Sequence, residues 1–185
     1  EGNVMHPILR ESCDEAMASQ QMDYDMAAYM RARLRYDPQT GAFAWIVPTA
    51  QCIKAGSAAG WKNSSGHIQI KVDGTSHMAH RLAWLMTFNT FPSGQIDHIN
   101  GIRDDNRIAN LRNVTAGENT QNQRAPRSDN TSGYLGVSFS KAAGKWVAGI
   151  GVGRKRIHLG CFDCPETAHL AYIKAKREMH ATCTI

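Results

Sequence analysis

The sequence predicts an α+β protein made of two small units, and three observations carry this prediction. Short strand-like runs, such as 67–72 and 145–151, alternate with short amphipathic helical stretches. A polar segment with a proline, 123–132, lacks apolar periodicity and is typical of a linker. The charge is also divided, because residues 1–119 carry 11 Lys and Arg against 12 Asp and Glu, whereas residues 120–185 carry 10 against 4. A basic C-terminal third indicates a polyanionic partner.

The N-terminal part begins with a short helix and short strands. Residues 1–21 show no sustained periodicity and no clear caps, so we expect an extension of unknown role. Helical spacing of apolar residues over Asp25–Leu34 predicts a short helix, and Asp37–Gly41 has the composition of a turn. Strand composition follows over Ala42–Val47, and alternation over His67–Val72 predicts a half-buried strand.

A hairpin turn and a second helix follow this strand. Asp73-Gly74 is a pair typical of a tight hairpin turn. The spacing of a short amphipathic helix is shown by Leu82, Leu85, Met86 and Phe88. The first part is therefore expected to be a small α+β unit that leads into Gln95.

The C-terminal part predicts three strands and one helix. The strand-like runs are Tyr134–Phe139, Lys145–Gly151 and Arg156–Leu159. Pro165 begins an amphipathic helix. The helix carries apolar residues at Ala168, Leu170, Ala171, Ile173, Ala175 and Met179. We expect an antiparallel three-stranded sheet packed on this helix, a mini-domain of roughly 50 residues near the lower limit for independent folding.

Cysteine and hydropathy patterns indicate an intracellular setting. Five scattered cysteines argue against a disulfide framework and fit a reducing compartment. Cys161 and Cys164 form one C-x-x-C motif near His158 and His169. A zinc site usually contains a second such pair, which the sequence lacks. We therefore expect the motif to be a strand end followed by a turn. No run is apolar enough for a membrane helix and no signal pattern is present, so we expect a protein that works inside a cell.

The residues that carry chemistry lie between 95 and 122. Asp97 and His98 stand side by side at the end of a short apolar run, and neighbouring strand residues point to opposite faces. Asn100-Gly101 predicts a tight turn, and a second strand is expected over Asn110–Val114. Thr115-Ala-Gly-Glu118 matches a capping box, which places Asn119 in the first turn of a helix. The oxygens of a carboxylate and an amide suit Mg²⁺ better than zinc.

This segment resembles the HNH, or ββα-metal, endonucleases, and above all their phage and intron homing branch. The resemblance implies a cytoplasmic protein of a bacterial or phage-infected cell. The resemblance implies that His98 activates water and that Asp97 before it binds metal. It also implies that Asn110 ties the loop between the strands and orients His98, and that Asn119 is the second metal ligand. Asn122, one helical turn later, is the competing ligand. The expected cofactor is one Mg²⁺ or Mn²⁺ per active site.

Side chains around this motif are expected to support it. His80-Arg81-Leu82 resembles the helix that precedes the motif in the same branch. We expect His80 to be a structural hydrogen-bonding residue. Arg81 is expected to contact a DNA phosphate, and Arg103 and Arg107 are further candidate DNA contacts.

The C-terminal part resembles the AP-two/ethylene-response-factor DNA-binding domain over nearly all of residues 132–181. The likeness rests on runs such as Tyr134-Leu-Gly-Val137 and on Lys145-Trp146. In that family a three-stranded sheet enters the major groove and a helix packs behind it, which agrees with the width of that groove. The candidate DNA contacts are Tyr134, Ser138, Lys141, Lys145, Trp146, Arg154, Lys155, Arg156 and His158. The alternatives are core packing for Trp146 and a solvated hairpin tip for 154–156.

Together these patterns predict a metal-dependent DNA endonuclease of the homing type, which nicks or cuts double-stranded DNA. The domains are expected at 22–124 for the nuclease, with its ββα-metal core at 95–124, at 125–131 for the linker, and at 132–185 for the DNA-binding domain. Neutral His98 would act as general base, and the resemblance implies 5′-phosphate and 3′-hydroxyl ends. A monomer is favoured, with no membrane partner. The alternatives are a DNA-binding regulator with a decayed nuclease fold and a structural nucleic-acid protein without sequence preference.

Overall fold

The computed structural model describes residues 7–48, 53–126, 129–153, 155–180 and 183. It divides into two compact units, residues 1–113 and 114–185. The α+β class is confirmed, since helices and small antiparallel sheets make up both units. The predicted domain boundaries stay predictions, and residues 127 and 128 of the predicted linker lie outside the described residues. Within the part of the chain that the structure describes, no helix could span a membrane.

The first unit is built from two helices, a short 3-10 helix and small sheets. In chain order the elements are α1 (Pro7–Arg33), β1 (Leu34–Tyr36), β2 (Phe43–Trp45), β3 (Trp61–Lys62), β4 (Ile68–Val72), β5 (Thr75–Met78), α2 (Ala79–Phe88), β6 (Gln95–His98), the 3-10 helix (Ile108–Asn110) and β7 (Leu111–Val114). Strands β1 and β2 pair antiparallel, and β3, β4 and β5 form an antiparallel sheet in that order. Strand β6 pairs with β7.

Helix α1 corrects the sequence prediction at this end of the chain. The predicted helix over 25–34 is too short, because the helix begins at Pro7, inside the segment taken as an extension. Ala27 and Met30 near its end are buried, whereas every described side chain from Glu15 to Met22 is exposed. A helix without a buried face leaves no apolar period in the sequence. Leu34 is not helical but begins β1, opposite Trp45.

The core of this unit joins α2 to β4 and to the last turns of α1. Leu82, Leu85 and Ile70 are fully buried there. The Asp73-Gly74 turn that connects β4 to β5 is confirmed, since both residues have positive φ, at 45° and 86°. The sheet and α2 therefore form the support on which β6 and its following loop lie.

The second unit contains α3 (Ala116–Gln121), β8 (Val137–Ser140), β9 (Lys145–Val152), β10 (Lys155–Phe162) and α4 (Pro165–Met179). The strands form an antiparallel sheet in the order β10-β9-β8, and α4 packs on one face of it, as predicted. Ala168 and Tyr172 of α4 are buried against this face. Close packing requires glycine at 136, because a Cβ there would lie 2.0 Å from the Tyr172 ring.

Candidate active site and basic sheet

Asp97 and His98 end strand β6, and the His98 side chain is enclosed by the fold. His98 is only 6% exposed, and its Nε2 lies 3.5 Å from Oδ1 of Asn106. Burial lowers the pKa of His98 below its ordinary value, although the Asn106 contact and nearby carboxylates such as Asp97 oppose this effect. The imidazole is therefore neutral at neutral pH and can accept a proton.

Asn110 ties the loop that follows His98. Its side-chain Oδ1 accepts the backbone N–H of Asn100 at 2.9 Å, and its Nδ2 donates to the carbonyl of Asp105 at 2.8 Å. Its own carbonyl accepts the N–H of Ile99 at 2.9 Å. Asn110 lies in the 3-10 helix, one residue before the strand in which it was predicted. These contacts join both ends of the loop, as a loop-tying asparagine requires; its effect on the orientation of His98 stays a prediction.

The same loop also contacts β1 and the connection between β1 and β2. The Tyr36 hydroxyl donates to the carbonyl of Asn106 at 2.7 Å. Gly41 packs closely against the loop, since a Cβ there would lie 2.5 Å from the backbone nitrogen of Arg107. Asn106 is 2% exposed, so the residue that contacts His98 is fixed in place. Arg107, a predicted DNA contact, forms two hydrogen bonds with Asp105, at 2.8 and 2.6 Å, and these lower the pKa of that carboxyl.

Asp97 is paired with Arg112 on strand β7. Nε and Nη2 of Arg112 donate to Oδ2 of Asp97 at 2.9 and 2.7 Å. Both side chains are largely buried, with 24% of Arg112 and 16% of Asp97 exposed. A paired guanidinium in this position fixes the carboxylate, because two donors converge on one oxygen. Sequence reasoning missed Arg112, since only the pairing of β6 with β7 brings it to Asp97.

Three histidine rings meet at the site. The ring centroids of His80 and His98 are 5.3 Å apart, and the His67 ring lies 5.2 Å from His80 and 5.7 Å from His98. Burial, followed by its two histidine neighbours, lowers the pKa of His80 to about 3. The expectation that His80 forms structural hydrogen bonds is not met at Nδ1, which is buried without a partner among the described residues. The ring packs against those of His67 and His98 instead.

Two further predicted DNA contacts of the first unit are engaged by backbone carbonyls. Arg81 Nη1 donates to Gly94 at 3.4 Å, and Arg103 Nη1 donates to Ser65 at 2.8 Å. Arg103 remains exposed and Arg81 is half-buried. Both guanidinium groups are therefore oriented by the fold; whether they contact DNA stays a prediction.

Helix α3 carries the second predicted metal ligand. The capping box is confirmed: Thr115 Oγ1 accepts the N–H of Glu118 at 3.2 Å, and the Glu118 carboxylate accepts the N–H of Thr115 at 2.8 Å. Asn119 lies in this helix and Asn122 is its C-terminal cap. Among the described residues, no group of three His, Cys, Asp or Glu side chains has the arrangement of a metal site. The oxygen donors of Asp97 and Asn119 nevertheless fit the chemistry of Mg²⁺.

The C-terminal sheet presents a polar face on the side away from α4. Strand pairing places Ser138, Val147 and Cys161 in one row across the sheet, next to the buried row that contains Val137 and Ala148. The same alternation puts four predicted DNA contacts on this outer face, and they are Ser138, Lys145, Arg156 and His158. All four are exposed. The Arg156 guanidinium lies over Gly149, whose Cβ, if present, would meet it at 3.0 Å.

Other predicted contacts of this sheet lie elsewhere. Trp146 is half-buried against the core cluster under α4, which is the core-packing alternative. Tyr134 packs in the same cluster and its hydroxyl donates to Glu166 at 3.1 Å. The two residues therefore belong to the core side rather than to the outer face. Lys141 and Lys155 are exposed, and Arg154 lies outside the described residues.

The C-x-x-C pair spans a strand end and a helix start. Cys161 is exposed on the outer face, with its Sγ 3.8 Å from Nε2 of His158, whereas Cys164 is the N-cap residue of α4. His169 Nδ1 instead lies 3.1 Å from the Leu135 carbonyl. The arrangement is the strand end and turn that the sequence favoured.

Comparison with known proteins identifies both parts of the chain. The family model described as HNH endonuclease matches residues 77–121, and the AP2 domain model matches residues 132–182. Protein 3.8 of Escherichia phage T7 is 32% identical over 102 residues, which are 55% of this chain and 83% of that protein. No solved structure matches the chain. The two domains indicate a DNA-binding, nuclease-like protein. The chain therefore belongs to one family with protein 3.8 of phage T7, and it carries an HNH endonuclease domain followed by an AP2 domain.

Proposed function

We propose that this protein is a metal-dependent endonuclease of the homing type that hydrolyses phosphodiester bonds of double-stranded DNA. The observation that carries the proposal is the buried, neutral imidazole of His98 beside Asp97, within the segment that the HNH model matches. A decayed nuclease would not need to retain both residues. The proposed partner is double-stranded DNA, bound by the protein as a monomer.

His98 supplies the general base. Its neutral imidazole accepts a proton from water as the water oxygen attacks phosphorus and the bond from phosphorus to the 3′-oxygen breaks. The leaving 3′-oxygen takes up a proton from solvent water, so the products are a 5′-phosphate and a 3′-hydroxyl. Asn106 and the loop tied by Asn110 hold the base in one orientation. Base catalysis of this kind contributes about 10²–10⁴-fold to the rate.

Asp97 and Asn119 would hold the Mg²⁺ or Mn²⁺, an assignment that rests on the sequence pattern and on the oxygen chemistry of the two side chains. Such an ion would supply positive charge to offset the negative charge that builds up on the phosphate and the leaving oxygen. Arg112 positions Asp97 through two hydrogen bonds to Oδ2 of that carboxylate. A hydrogen bond that fixes the orientation of a carboxylate is typical of a metal ligand.

The outer face of the C-terminal sheet is proposed to hold the DNA. Lys145, Arg156 and His158 are exposed on it, together with Ser138. Cationic side chains there contact phosphates, and the polar groups reach base edges in the major groove. Lys141, Lys155 and Arg154 add basic charge next to these positions in the sequence.

Incubation of supercoiled plasmid with the whole chain tests the proposal. We expect conversion to nicked or linear DNA with Mg²⁺ or Mn²⁺, and none with EDTA. A shift of the plasmid on a gel without any cleavage in either metal would instead identify a DNA-binding regulator. Sequencing of the cut ends checks the 5′-phosphate and the 3′-hydroxyl.

A further inference from the structure

We propose that His67 contacts the scissile phosphate at the active site, with a ring N–H that donates a hydrogen bond to a non-bridging oxygen. His98 then handles the water, and His67 holds the phosphate that the water attacks. The inference rests on the proposed function, because it assigns a second substrate contact to the same site.

The position of the His67 ring carries this assignment. Its centroid is 5.7 Å from that of His98, with the two ring planes at 50°. Of the three rings in the cluster, His80 and His98 are buried, at 9% and 6% exposure, whereas His67 is half-buried. His67 is therefore the histidine through which the cluster meets solvent.

The His67 ring has hydrogen-bonding capacity that the described part of the protein does not use. Among the described residues neither ring nitrogen has a hydrogen-bond partner, although the backbone of His67 is firmly held. Oδ1 of Asn63 accepts the His67 N–H at 3.1 Å, and the Asn63 N–H donates to the His67 carbonyl at 2.8 Å. A fixed backbone that carries a ring without protein partners is suited to a ligand rather than to a structural hydrogen bond.

The β3–β4 hairpin, which carries His67, is joined by two contacts to the loop that follows His98. Arg103 of the loop donates to the carbonyl of Ser65 at 2.8 Å, and Lys62 of the hairpin forms a 2.8 Å ion pair with Asp104 of the loop. These contacts fix His67 relative to His98. They also bring the Arg103 side chain close enough to His67 to lower its pKa, and a cation there attracts a phosphodiester anion.

A neutral His67 ring is suited to donate a hydrogen bond to the phosphate without giving up its proton. Burial lowers the pKa of His67, and His98 and Arg103 lower it further. A neutral imidazole still carries one N–H, which can donate to a phosphoryl oxygen. Removal of a single donor of this kind from a hydrolytic site costs about 10²–10³-fold in rate.

The test compares three variants in single-turnover cleavage of plasmid. His67→Phe keeps a planar ring without a donor, His67→Gln keeps a donor, and His77→Phe removes another half-buried histidine of the same sheet. We expect His67→Phe to cleave about a hundredfold more slowly, and His67→Gln to recover most of that loss. His77→Phe should match the wild type, and thermal unfolding should show that all three variants are folded.

A second readout does not depend on cleavage. The ring resonances of His67, assigned by their absence in His67→Gln, should shift when a DNA duplex is added with Ca²⁺ in place of Mg²⁺. Unshifted resonances, or a His67→Phe variant that cleaves as fast as the wild type, would overturn the inference. Absence of cleavage by the wild type would refute the proposed nuclease instead, and the resonances would still decide whether His67 meets DNA.

Discussion

Under the proposed mechanism, the burial of His98 sets the pH range in which the protein cleaves DNA. Only a neutral imidazole accepts a proton, so protonation of His98 should stop cleavage. Because burial lowers the pKa of His98, we expect the rate to stay flat from about pH 8 down to the ordinary imidazole pKa of about 6.5, and to fall only below it. Single-turnover rates across this range at saturating metal measure the effect. An acidic limb that begins above pH 7 would show that a different group is the base.

A matched variant checks the cause of that pH range. The hydrogen bond that the His98 ring donates to Oδ1 of Asn106 is the largest influence that raises the pKa of His98. Asn106→Ala should therefore move the acidic limb to still lower pH.

Loss of either proposed metal ligand is expected to impair metal binding and cleavage more than loss of Asn122. Asp97→Ala and Asn119→Ala should each weaken Mn²⁺ binding and cleavage, because each removes an oxygen donor. Asn122→Ala, at the C-cap of the same helix, is the matched control and should have a milder effect. Mn²⁺ titration by electron paramagnetic resonance, alongside cleavage, measures both. An inactive Asn122→Ala with an active Asn119→Ala would move the ligand by one helical turn.

The candidate site residues that the sequence could propose are those that lie close to one another in the chain. Asp97 and His98 are neighbours, and Asn110 is near enough for its role in the loop to be inferred. Arg112 and His67 were not found, because strand pairing and the β3–β4 hairpin bring them to the site. Trp146 was placed with the DNA contacts although it packs in the core, since an isolated aromatic residue in a strand does not reveal which face it occupies.

At the scale of elements, helix α3 depends on its cap. It has only six residues, and the Thr115 side chain satisfies one of its first N–H groups. Thr115→Ala should lower the free energy of unfolding by about 1 kcal/mol. Thr120→Ala, whose hydroxyl donates to the Ala116 carbonyl within the same helix, is the control and should change it less. Urea unfolding followed by circular dichroism compares the variants, and equal losses would contradict a specific role for the cap.

Elements with a buried face or a distinct turn were predictable, whereas α1 was not. Helix α4 and strand β4 alternate between covered and exposed residues, and this left a period in the sequence. The α1 side chains from Glu15 to Met22 are all exposed, so backbone hydrogen bonds form a helix there without such a period.

At the scale of the whole molecule, the uneven distribution of charge predicts that the basic C-terminal part binds DNA and the N-terminal part cleaves it. Residues 120–185 carry 10 Lys and Arg against 4 Asp and Glu, and phosphate contacts release counterions. A truncation that ends at Arg124 should bind DNA far more weakly and with a shallower salt dependence, by about 0.9 in log–log slope for each lost contact. Its cleavage rate at saturating DNA should fall less than its affinity. Fluorescence anisotropy across a salt series measures this, and unchanged binding would contradict the role given to the C-terminal sheet.

The central claim is that His98 performs the chemistry while other residues hold the DNA. Cleavage and DNA affinity of His98→Ala, measured on the same preparation, test it most directly. The account predicts a loss of at least about 10²-fold in single-turnover cleavage with Mg²⁺, because the general base is gone. Affinity, measured with Ca²⁺, should remain that of the wild type, since His98 is buried and handles a proton rather than a phosphate charge. A His98→Ala variant that cleaves plasmid within about tenfold of the wild-type rate would contradict the claim.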